Sequence, residues 1–263
     1  MRSPKFIFVM KESPSKARLD KLLLERQLVP SRERAQALVL AGKVLVNGQK
    51  IDKSGTLINV SSEIRLLGDN LKYVGRGGLK LERALEHWKI DVRDRVCLDV
   101  GASTGGFTDC LLQHGAARVI AVDTGQGQIA FRLRQDSRVR LLERTNARYL
   151  TPEQLSEEVD LVAMDVSFIS ATLVLPAVIS AAFPDQPNAR AGRELVVLVK
   201  PQFEVGRDLV GKGGIVRDPS AQRQAVEKIH AAVRALGSNA VDVAESPILG
   251  AEGNREFLLY AKF

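Results

Sequence analysis

Hydrophobic residues between positions 18 and 66 first follow the spacing of two short helices. The leucines from Leu19 to Leu24 form one apolar face. Pro30 and Ser31 are typical of the end of one helix and the cap of the next, and Gly42 is typical of a helix stop. The pattern therefore predicts a pair of helices separated by a turn.

Alternating apolar and polar residues follow this helix pair. They run from Lys43 to Val46 towards Asn47-Gly48, a dipeptide that strongly favours a two-residue hairpin turn. Ile51 and Ile64 are predicted to lie on later short strands. Together, the helices and strands predict a compact α+β module.

A longer region begins after the polar, glycine-rich stretch at 69–76 and alternates between strand and helix patterns. Strands are predicted over Val96–Val100, Val119–Val122, Val139–Leu142, Leu161–Met164, Leu195–Val199, Ala240–Val243 and Phe257–Ala261. Helices are predicted over Leu79–Trp88, Gly105–His114, Ile169–Ala182 and Ala221–Leu236. Nearly continuous apolar strands separated by helices are typical of a mainly parallel sheet covered on both faces. The predicted fold class is α/β, a Rossmann-like domain preceded by the small α+β module.

These patterns divide the chain into four parts. Residues 1–16 lack a convincing period and are interpreted as a tail, 17–68 as the small domain, 69–76 as a linker and 77–263 as the larger domain. A chain of 263 residues is long enough to bury the cores of two domains.

The net charge of +7 is concentrated in the amino-terminal part of the chain. Residues 1–72 contain 14 Lys and Arg against 7 Asp and Glu, whereas residues 73–263 contain 24 of each kind. This asymmetry favours the docking of a polyanion on the amino-terminal domain. An ordinary solvated basic surface would give the same counts.

The remaining composition is that of a soluble globular protein, with 45% hydrophobic and 26% charged residues. No apolar run reaches the ~18–20 residues of a membrane-spanning helix, and Lys11 and Glu12 cut off the apolar run Phe6–Met10 below a signal-peptide core. Cys97 and Cys110 fall in a predicted strand and helix, so we expect free thiols rather than a disulfide or a metal site. The sequence predicts a cytoplasmic protein with no membrane span and no bound metal.

A glycine-rich turn between the first long strand and the next helix is the strongest local signal in the chain. It contains Gly101, Ala102, Ser103, Thr104, Gly105, Gly106 and Phe107. Glycines in such a turn let the backbone bend tightly and let a ligand approach closely. Asp99 precedes the turn, and Asp123 follows the next strand, where an acid can accept hydrogen bonds from two ribose hydroxyls. These features favour a cofactor that contains adenosine.

The spacing of the turn by itself leaves both NAD and S-adenosylmethionine open. The turn departs from the Gly-x-Gly-x-x-Gly pattern, and Asp99 suits the cationic amino group of a methionine moiety better than a pyrophosphate. S-adenosylmethionine is therefore the favoured cofactor, with Asp99, Asp123, Asp165 and the turn as its expected binding residues.

Four charged residues are candidates for catalysis. Asp165 directly follows the fourth predicted strand and Lys200 follows the fifth. Ligands bind at the carboxyl ends of parallel strands in open α/β sheets, so both side chains are expected in one crevice. Lys80 lies on the predicted helix before the first long strand, and Glu256 begins the last strand. Each residue taken alone would more often be a surface charge.

Six motifs in one order give the chain a resemblance to a known family. They are Arg76–Leu81, Asp99–Asp109, Asp165–Ser170, Lys200–Glu204, Gly211–Val216 and Gly253–Phe257. Over residues 18–263 the chain resembles the TlyA-type ribosomal RNA ribose 2′-O-methyltransferases, whose catalytic domain is similar to the FtsJ-type ribose methyltransferases and some of which carry the name hemolysin. Ala251 stands where proline is expected. The small domain resembles the RNA-binding domain named after the fourth small-subunit ribosomal protein.

The resemblance implies an activity and its residues. The activity is S-adenosylmethionine-dependent 2′-O-methylation of ribose in ribosomal RNA, at cytidine and in ribosomal subunits. The implied catalytic tetrad is Lys80, Asp165, Lys200 and Glu256. Contacts to RNA are expected at Arg18, Arg32, Arg34, Lys43 and Arg76.

Elementary chemistry agrees with a ribose acceptor. A 2′-hydroxyl is a poor nucleophile, so its proton must leave as the oxygen attacks. Clustered lysines favour the neutral form of one amine, and we favour Lys200 as the base, with Lys80 holding phosphate or ribose. Methylation of an exocyclic amine usually requires a proline-containing turn after the fourth strand, and methylation of cytosine C5 requires a cysteine in the cleft. The sequence Asp165–Phe168 contains no proline, and neither cysteine is predicted to lie in the cleft.

Two functions from other classes compete with the enzyme. One is a non-catalytic RNA-binding or ribosome-assembly protein that keeps the fold. The other is a membrane-lysing protein, which only the name hemolysin suggests, because the sequence contains neither a spanning segment nor an amphipathic lytic segment.

Overall fold

The computed structural model describes residues 15–26, 28–29, 31–67, 72–183 and 191–263. The chain divides into two compact units, Met1–Asn70 and Leu71–Phe263. Most of the predicted tail, the helix-ending Pro30 and the first part of the predicted linker lie outside the described residues.

The amino-terminal unit contains the helix pair and the hairpin that its hydrophobic pattern predicts. Its helices are α1 (Leu19–Glu25) and α2 (Arg32–Leu40), and its strands are β1 (Lys16–Arg18), β2 (Val44–Val46), β3 (Gln49–Ile51), β4 (Leu57–Asn59) and β5 (Ile64–Leu66). Ser31 caps α2 by accepting a hydrogen bond from the backbone of Arg34, and Asn47 and Gly48 both adopt positive φ in the β2–β3 turn. Strand β2 pairs with β3 and β5, whereas β1 and β4 form a separate antiparallel pair that the pattern does not predict.

The apolar faces of these elements meet in a small core. Leu19, Leu23, Ala35, Val39 and Val44 are completely buried in it. Burial of this face is the main favourable contribution to the stability of so small a unit.

The carboxy-terminal unit is built on a seven-stranded sheet within the described ranges. Its strands are β6 (Val96–Val100), β7 (Arg118–Val122), β8 (Val139–Leu142), β9 (Leu161–Met164), β10 (Glu194–Val199), β11 (Ala240–Glu245) and β12 (Phe257–Lys262). Their order across the sheet is β11-β12-β10-β9-β6-β7-β8. Strand β12 runs antiparallel to β10 and β11, and the pairs from β10 to β8 are parallel. The predicted Rossmann-like α/β fold is confirmed.

Helices cover both faces of this sheet. They are α3 (Gly77–Trp88), α4 (Gly106–Gln113), α5 (Phe131–Arg134), α6 (Pro152–Leu155), α7 (Leu175–Ala182), α8 (Pro201–Glu204) and α9 (Pro219–Ala235). One apolar cluster joins the sheet to α3 and α4, and a second joins it to α7 and α9. No helix in the part of the chain that the structure describes combines the length and apolar character needed to cross a membrane.

The prediction of one helix over 169–182 is wrong in its first part. A 3₁₀ turn occupies Ala171–Leu173, and α7 begins only at Leu175. Ser170 caps the 3₁₀ turn with its side chain. Pro176 lies in the first turn of α7, where its fixed φ suits a helix start and its missing N–H removes no intrahelical hydrogen bond.

Candidate active site

The glycine-rich turn lines a cavity of about 150 Å³ at the carboxyl end of β6. The lining residues are Gly75, Arg76, Gly77, Gly101, Ala102, Ser103, Thr104, Gly106, Phe107 and Asp165. Gly101 has a φ of +87°, and a Cβ added to it would lie 2.4 Å from the backbone oxygen of Asp165. Glycine is therefore required at 101, because the turn there touches the loop after β9.

Three predicted cofactor residues, Asp99, Gly105 and Asp123, lie outside the described lining of this cavity. Asp123 ties the turn to the end of β7: its Oδ2 accepts a hydrogen bond from the backbone of Ser103 at 2.8 Å, and its Oδ1 accepts one from Gly125 at 2.6 Å. A carboxylate has about four acceptor sites, so Asp123 keeps capacity for hydroxyl donors. Gly105 faces the core instead, since a Cβ added there would lie 2.4 Å from a side-chain carbon of Leu133.

Asp99 is completely buried beneath the turn. Its Oδ2 accepts hydrogen bonds from the backbone and the hydroxyl of Thr108, at 2.9 and 2.6 Å, which fixes the start of α4. Its Oδ1 has no hydrogen-bond partner among the described residues. Burial raises the pKa of the Asp99 carboxyl to about 7. A buried oxygen without a donor is a site for a proton or a cation.

The raised pKa of Asp99 predicts a pH dependence of stability. The folded chain holds a proton on Asp99 that the unfolded chain releases near pH ~4, so this residue lowers the free energy of unfolding as pH rises from about 4 to about 7. An Asp99→Asn variant cannot titrate there. Its free energy of unfolding relative to the wild type should therefore rise through this window, by at most about 1.4 kcal/mol per pH unit. Urea denaturation at a series of pH values measures the difference, and a constant difference would contradict the assignment.

Asp165 and Lys200 form an ion pair at the carboxyl ends of two neighbouring parallel strands. Lys200 Nζ lies 2.7 Å from Asp165 Oδ1 and donates a hydrogen bond to the Ser167 hydroxyl at 2.6 Å. The ion pair lacks the alignment of a hydrogen bond at Oδ1. The two side chains still restrict the position of the Lys200 amine, beside the cavity that Asp165 lines.

Lys80 and Glu256 form a second ion pair, and both residues are buried. Lys80 lies on α3, and Glu256 directly precedes β12. Val199 of β10 is paired with Phe257 of β12, so Lys200 and Glu256 continue these two strands at the same end of the sheet. The fold thus brings the four residues of the predicted tetrad to one end of the sheet, as two carboxylates that each pair with one ammonium group.

Phe168 lies in the loop after β9, three residues beyond Asp165. It is 90% exposed and adopts a φ of +64°, which costs about 1–3 kcal/mol for a non-glycine residue. Its ring centroid is 5.3 Å from that of Phe203, a residue of α8, the helix that begins directly after Lys200. An exposed aromatic ring on an unfavourable backbone conformation makes Phe168 a candidate binding residue.

The predicted RNA contacts of the amino-terminal unit differ in their surroundings. Arg18 and Arg32 both reach the buried Asp20, with nitrogen–oxygen distances of 2.9 Å, and both remain partly exposed. The two guanidinium groups hold the pKa of Asp20 well below its usual range. Arg34 and Lys43 are exposed. The fifth predicted contact, Arg76, lies in the other unit, where it is exposed and lines the cavity.

Sequence reasoning did not identify several residues that shape these sites. Ser167, Phe168 and Glu204 lie within the motifs that carry the resemblance, but no residue-type signal singles out Ser167 or Glu204. Phe168 could have been noticed as a large apolar residue four positions after a predicted strand, where a loop is expected. Asp20 could have been noticed as an acid between basic residues in a basic domain.

Known proteins resemble the chain over most of its length. Residues 73–263 match the FtsJ-like methyltransferases and residues 17–64 match the S4 domain. The chain is 45% identical over 248 residues to the 16S/23S rRNA (cytidine-2′-O)-methyltransferase TlyA of Mycobacterium tuberculosis, covering 94% of this chain and 90% of that protein. It is 40% identical over 244 residues to Hemolysin A of Brachyspira hyodysenteriae, covering 92% of this chain and 98% of that protein.

Solved structures agree with this relationship. A protein from Streptococcus thermophilus named as a hemolysin has 42% identity and a TM-score of 0.70, covering 95% of this chain and 89% of that chain. An S-adenosylmethionine-dependent methyltransferase from Mesorhizobium loti has 15% identity and a TM-score of 0.51, covering 72% of this chain and 100% of that chain, and so shares the fold alone. The resemblance seen in the sequence is thus confirmed, and the chain belongs to the FtsJ-like methyltransferases, in the TlyA-type group that includes proteins named hemolysin.

Proposed function

We propose that this chain transfers a methyl group from S-adenosylmethionine to the ribose 2′-oxygen of a cytidine in ribosomal RNA, acting on ribosomal subunits in the cytoplasm. The observation that carries the proposal is the Asp165–Lys200 ion pair. Asp165 lines the cavity beside the glycine-rich turn, so the pair places the amine of Lys200, the proposed base, next to the proposed cofactor site. The name of the Mycobacterium tuberculosis relative supports the choice of acceptor.

The residues around the cavity fit S-adenosylmethionine. The buried oxygen of Asp99 that lacks a hydrogen-bond donor favours a positively charged ligand nearby. Asp123 retains acceptor sites for ribose hydroxyls. Gly101 lets the backbone approach closely. When bound, S-adenosylmethionine supplies a methyl group on a positively charged sulfur, which departs as a neutral thioether.

Lys200 is the proposed general base. Lys200 first releases its ammonium proton to solvent, and the neutral amine then takes the proton of the 2′-hydroxyl as the oxygen forms its bond to the methyl carbon and the carbon–sulfur bond breaks. Asp165 and Ser167 hold this amine in position, at 2.7 and 2.6 Å. Lys80, held by Glu256, would bind the ribose or its phosphate. Since acceptor and methyl group must be nearly in line, this positioning supplies a large part of the rate.

The cysteines do not suit methylation of a base carbon. Cys97 and Cys110 are both buried, and burial raises the pKa of each thiol to about 12. Attack on cytosine C5 needs an accessible thiolate. This supports ribose oxygen as the acceptor.

Phe168 is proposed to stack on a base of the substrate. RNA-binding proteins commonly hold unstacked bases on aromatic rings. The ring of Phe168 is exposed and follows Asp165 and Ser167 in the same loop. A base stacked on this ring would lie against the same loop as Asp165, which pairs with Lys200.

Residues 17–68 are proposed to dock RNA and residues 77–263 to carry the chemistry, joined by the linker at 69–76. The match to the S4 domain and the excess of basic residues in the amino-terminal part support this division. Asp20 braces Arg18 and Arg32 in one orientation, which prepares two guanidinium groups for phosphate.

Replacing Arg18, Arg32, Arg34 and Lys43 by glutamine should weaken RNA binding and flatten its salt dependence. Each phosphate contact that is lost should reduce the slope of log affinity against log salt by about 0.7–0.9. Filter binding of ribosomal RNA at several salt concentrations measures both quantities. A matched control replaces four other exposed basic residues by glutamine and so removes the same charge. They are Lys21, Lys50, Lys53 and Arg65.

Equal slopes for the two fourfold variants would argue against a specific docking site. Because Asp20 is buried, loss of Arg18 and Arg32 also destabilises the unit. A double variant at Arg34 and Lys43 therefore tests the contacts with Asp20 still paired. Its salt-dependence slope should change by about half as much as that of the fourfold variant.

Methyl transfer from labelled S-adenosylmethionine tests the proposed function directly. The substrates are small subunits, large subunits and free ribosomal RNA, and mass spectrometry identifies the methylated nucleoside. We expect 2′-O-methylcytidine from subunits. Methylation of another atom would overturn the acceptor, and cofactor binding without any transfer would favour a non-catalytic RNA-binding or ribosome-assembly role.

A further inference from the structure

A buried carboxylate joins the loops that follow β9 and β10. Glu204, the last residue of α8, is only 7% exposed. Its Oε1 accepts a hydrogen bond from the backbone of Ala171 at 2.7 Å, and its Oε2 accepts one from the hydroxyl of Ser170 at 2.5 Å. Lys228 of α9 lies 3.2 Å from Oε2 and donates to the backbone oxygen of Glu204 at 2.9 Å. Both carboxylate oxygens are therefore paired, and they connect three separate segments.

The loop after β9 is fastened at its start, in its middle and at its end. The backbone of Asp165 donates to β6 at 2.9 Å, the Ser167 hydroxyl accepts from Lys200, and Glu204 binds the far end. Phe168 lies between these points with a left-handed backbone that a bulky residue rarely adopts. If the far end were released, the loop could relax towards ordinary conformations, and the side chains that contact Lys200 would move with it.

We propose that Glu204 is a positioning residue for methyl transfer. It holds the loop after β9 so that Asp165 and Ser167 keep the Lys200 amine directed towards the acceptor hydroxyl. Glu204 acts only through that loop. The inference rests on the proposed role of Lys200 as the base.

Glu194 provides a matched control at the opposite end of β10. It is 6% exposed, pairs with Arg95 and accepts a hydrogen bond from the hydroxyl of Tyr260. Both glutamates are thus buried, charged and bound to neighbouring elements. A general loss of stability should follow from either substitution, whereas only Glu204 contacts the loop that carries Asp165.

Glu204→Gln and Glu194→Gln are compared in the full chain by three measurements: melting temperature, steady-state methyl transfer to ribosomal RNA, and amide hydrogen exchange of residues 165–171. We expect Glu204→Gln to lower kcat at least about tenfold, because small displacements of reacting groups are costly, with both KM values within about twofold of wild type. Exchange in 165–171 should become faster. Glu194→Gln should lower only the melting temperature.

A wild-type kcat in Glu204→Gln, or equal kcat losses in both variants, would overturn the positioning role while leaving the proposed function intact. Absence of RNA methylation by the wild-type chain would refute the proposed function instead. In that case amide hydrogen exchange, which needs no activity, alone tests whether Glu204 holds the loop. Unchanged exchange of residues 165–171 in Glu204→Gln would show that it does not.

A milder pair of variants covers the case in which Glu204→Gln does not fold. Ser170→Ala removes the hydroxyl that donates to Glu204, caps the 3₁₀ turn and accepts from Lys228, and it leaves the contacts of Glu204 with Ala171 and Lys228. It should lower kcat several-fold, and Ser170→Thr, which retains a hydroxyl, should restore most of the loss. Unchanged kcat and exchange in Ser170→Ala would contradict the proposal.

Discussion

Replacing Lys200 by methionine is expected to lower kcat for methyl transfer by about two to four orders of magnitude, the usual contribution of a general base. Methionine keeps a flexible, unbranched side chain but cannot accept the proton or pair with Asp165. Because Lys200 is proposed to act on the acceptor, the affinity for S-adenosylmethionine should change little. Single-turnover transfer of a labelled methyl group to ribosomal RNA measures the chemical step, and calorimetry measures cofactor affinity.

Lys262→Met is the control for this substitution. Lys262 is exposed on β12, next to Glu194 at the end of the sheet opposite Lys200. Its replacement removes the same charge from the same unit and should leave kcat at the wild-type value. If Lys200→Met also retained the wild-type kcat, Lys200 could not be the base.

Replacing Gly101 by alanine is expected to lower kcat/KM by about a hundredfold, the cost of a displacement near 1 Å at a reacting centre. The new Cβ would lie 2.4 Å from the backbone oxygen of Asp165, so either the turn or the loop after β9 must shift. Either shift displaces residues of the candidate active site. The variant should bind S-adenosylmethionine more weakly and should transfer its methyl group more slowly.

Gly192→Ala separates this clash from backbone strain. Gly192 has a φ of +80°, close to the +87° of Gly101, but nothing lies within 4 Å of its added Cβ. Its substitution should therefore destabilise the fold by about 1–2 kcal/mol and leave the kinetics unchanged. Equal kinetic effects at the two glycines would contradict the role of the contact with Asp165. Urea denaturation and methyl transfer measured on both variants make the comparison.

The strands of the larger unit could be predicted closely because their signal is local. The observed bounds of β6, β8 and β9 are those predicted, Val96–Val100, Val139–Leu142 and Leu161–Met164. Strands buried on both faces are apolar throughout, which is visible in any short window of sequence. The late start of α7 was missed because residues 171–182 are almost uniformly apolar, so their spacing does not distinguish a helix from a capped turn.

The candidate site was predicted in its parts and not in its connections. Asp165 and Lys200 could be assigned to one crevice because each follows a predicted parallel strand. Nothing local indicates that Asp99 binds Thr108, or that Glu204 binds Ser170 and Ala171. These contacts arise when separate elements and loops pack against each other, and the residue types that form them are common in any soluble protein.

The sequence by itself determined the kind of fold, the tight glycine turn and the basic character of the amino-terminal unit, because these depend on residues close together in the chain or on simple counts. The tertiary structure decided which charges meet. Lys80 and Glu256 are 176 residues apart in the chain, and they meet because β12, the last strand, lies beside β10 rather than at the edge of the sheet. Strand order depends on how all the helices and strands pack in the two apolar clusters on the faces of the sheet, and that packing is a property of the folded chain as a whole.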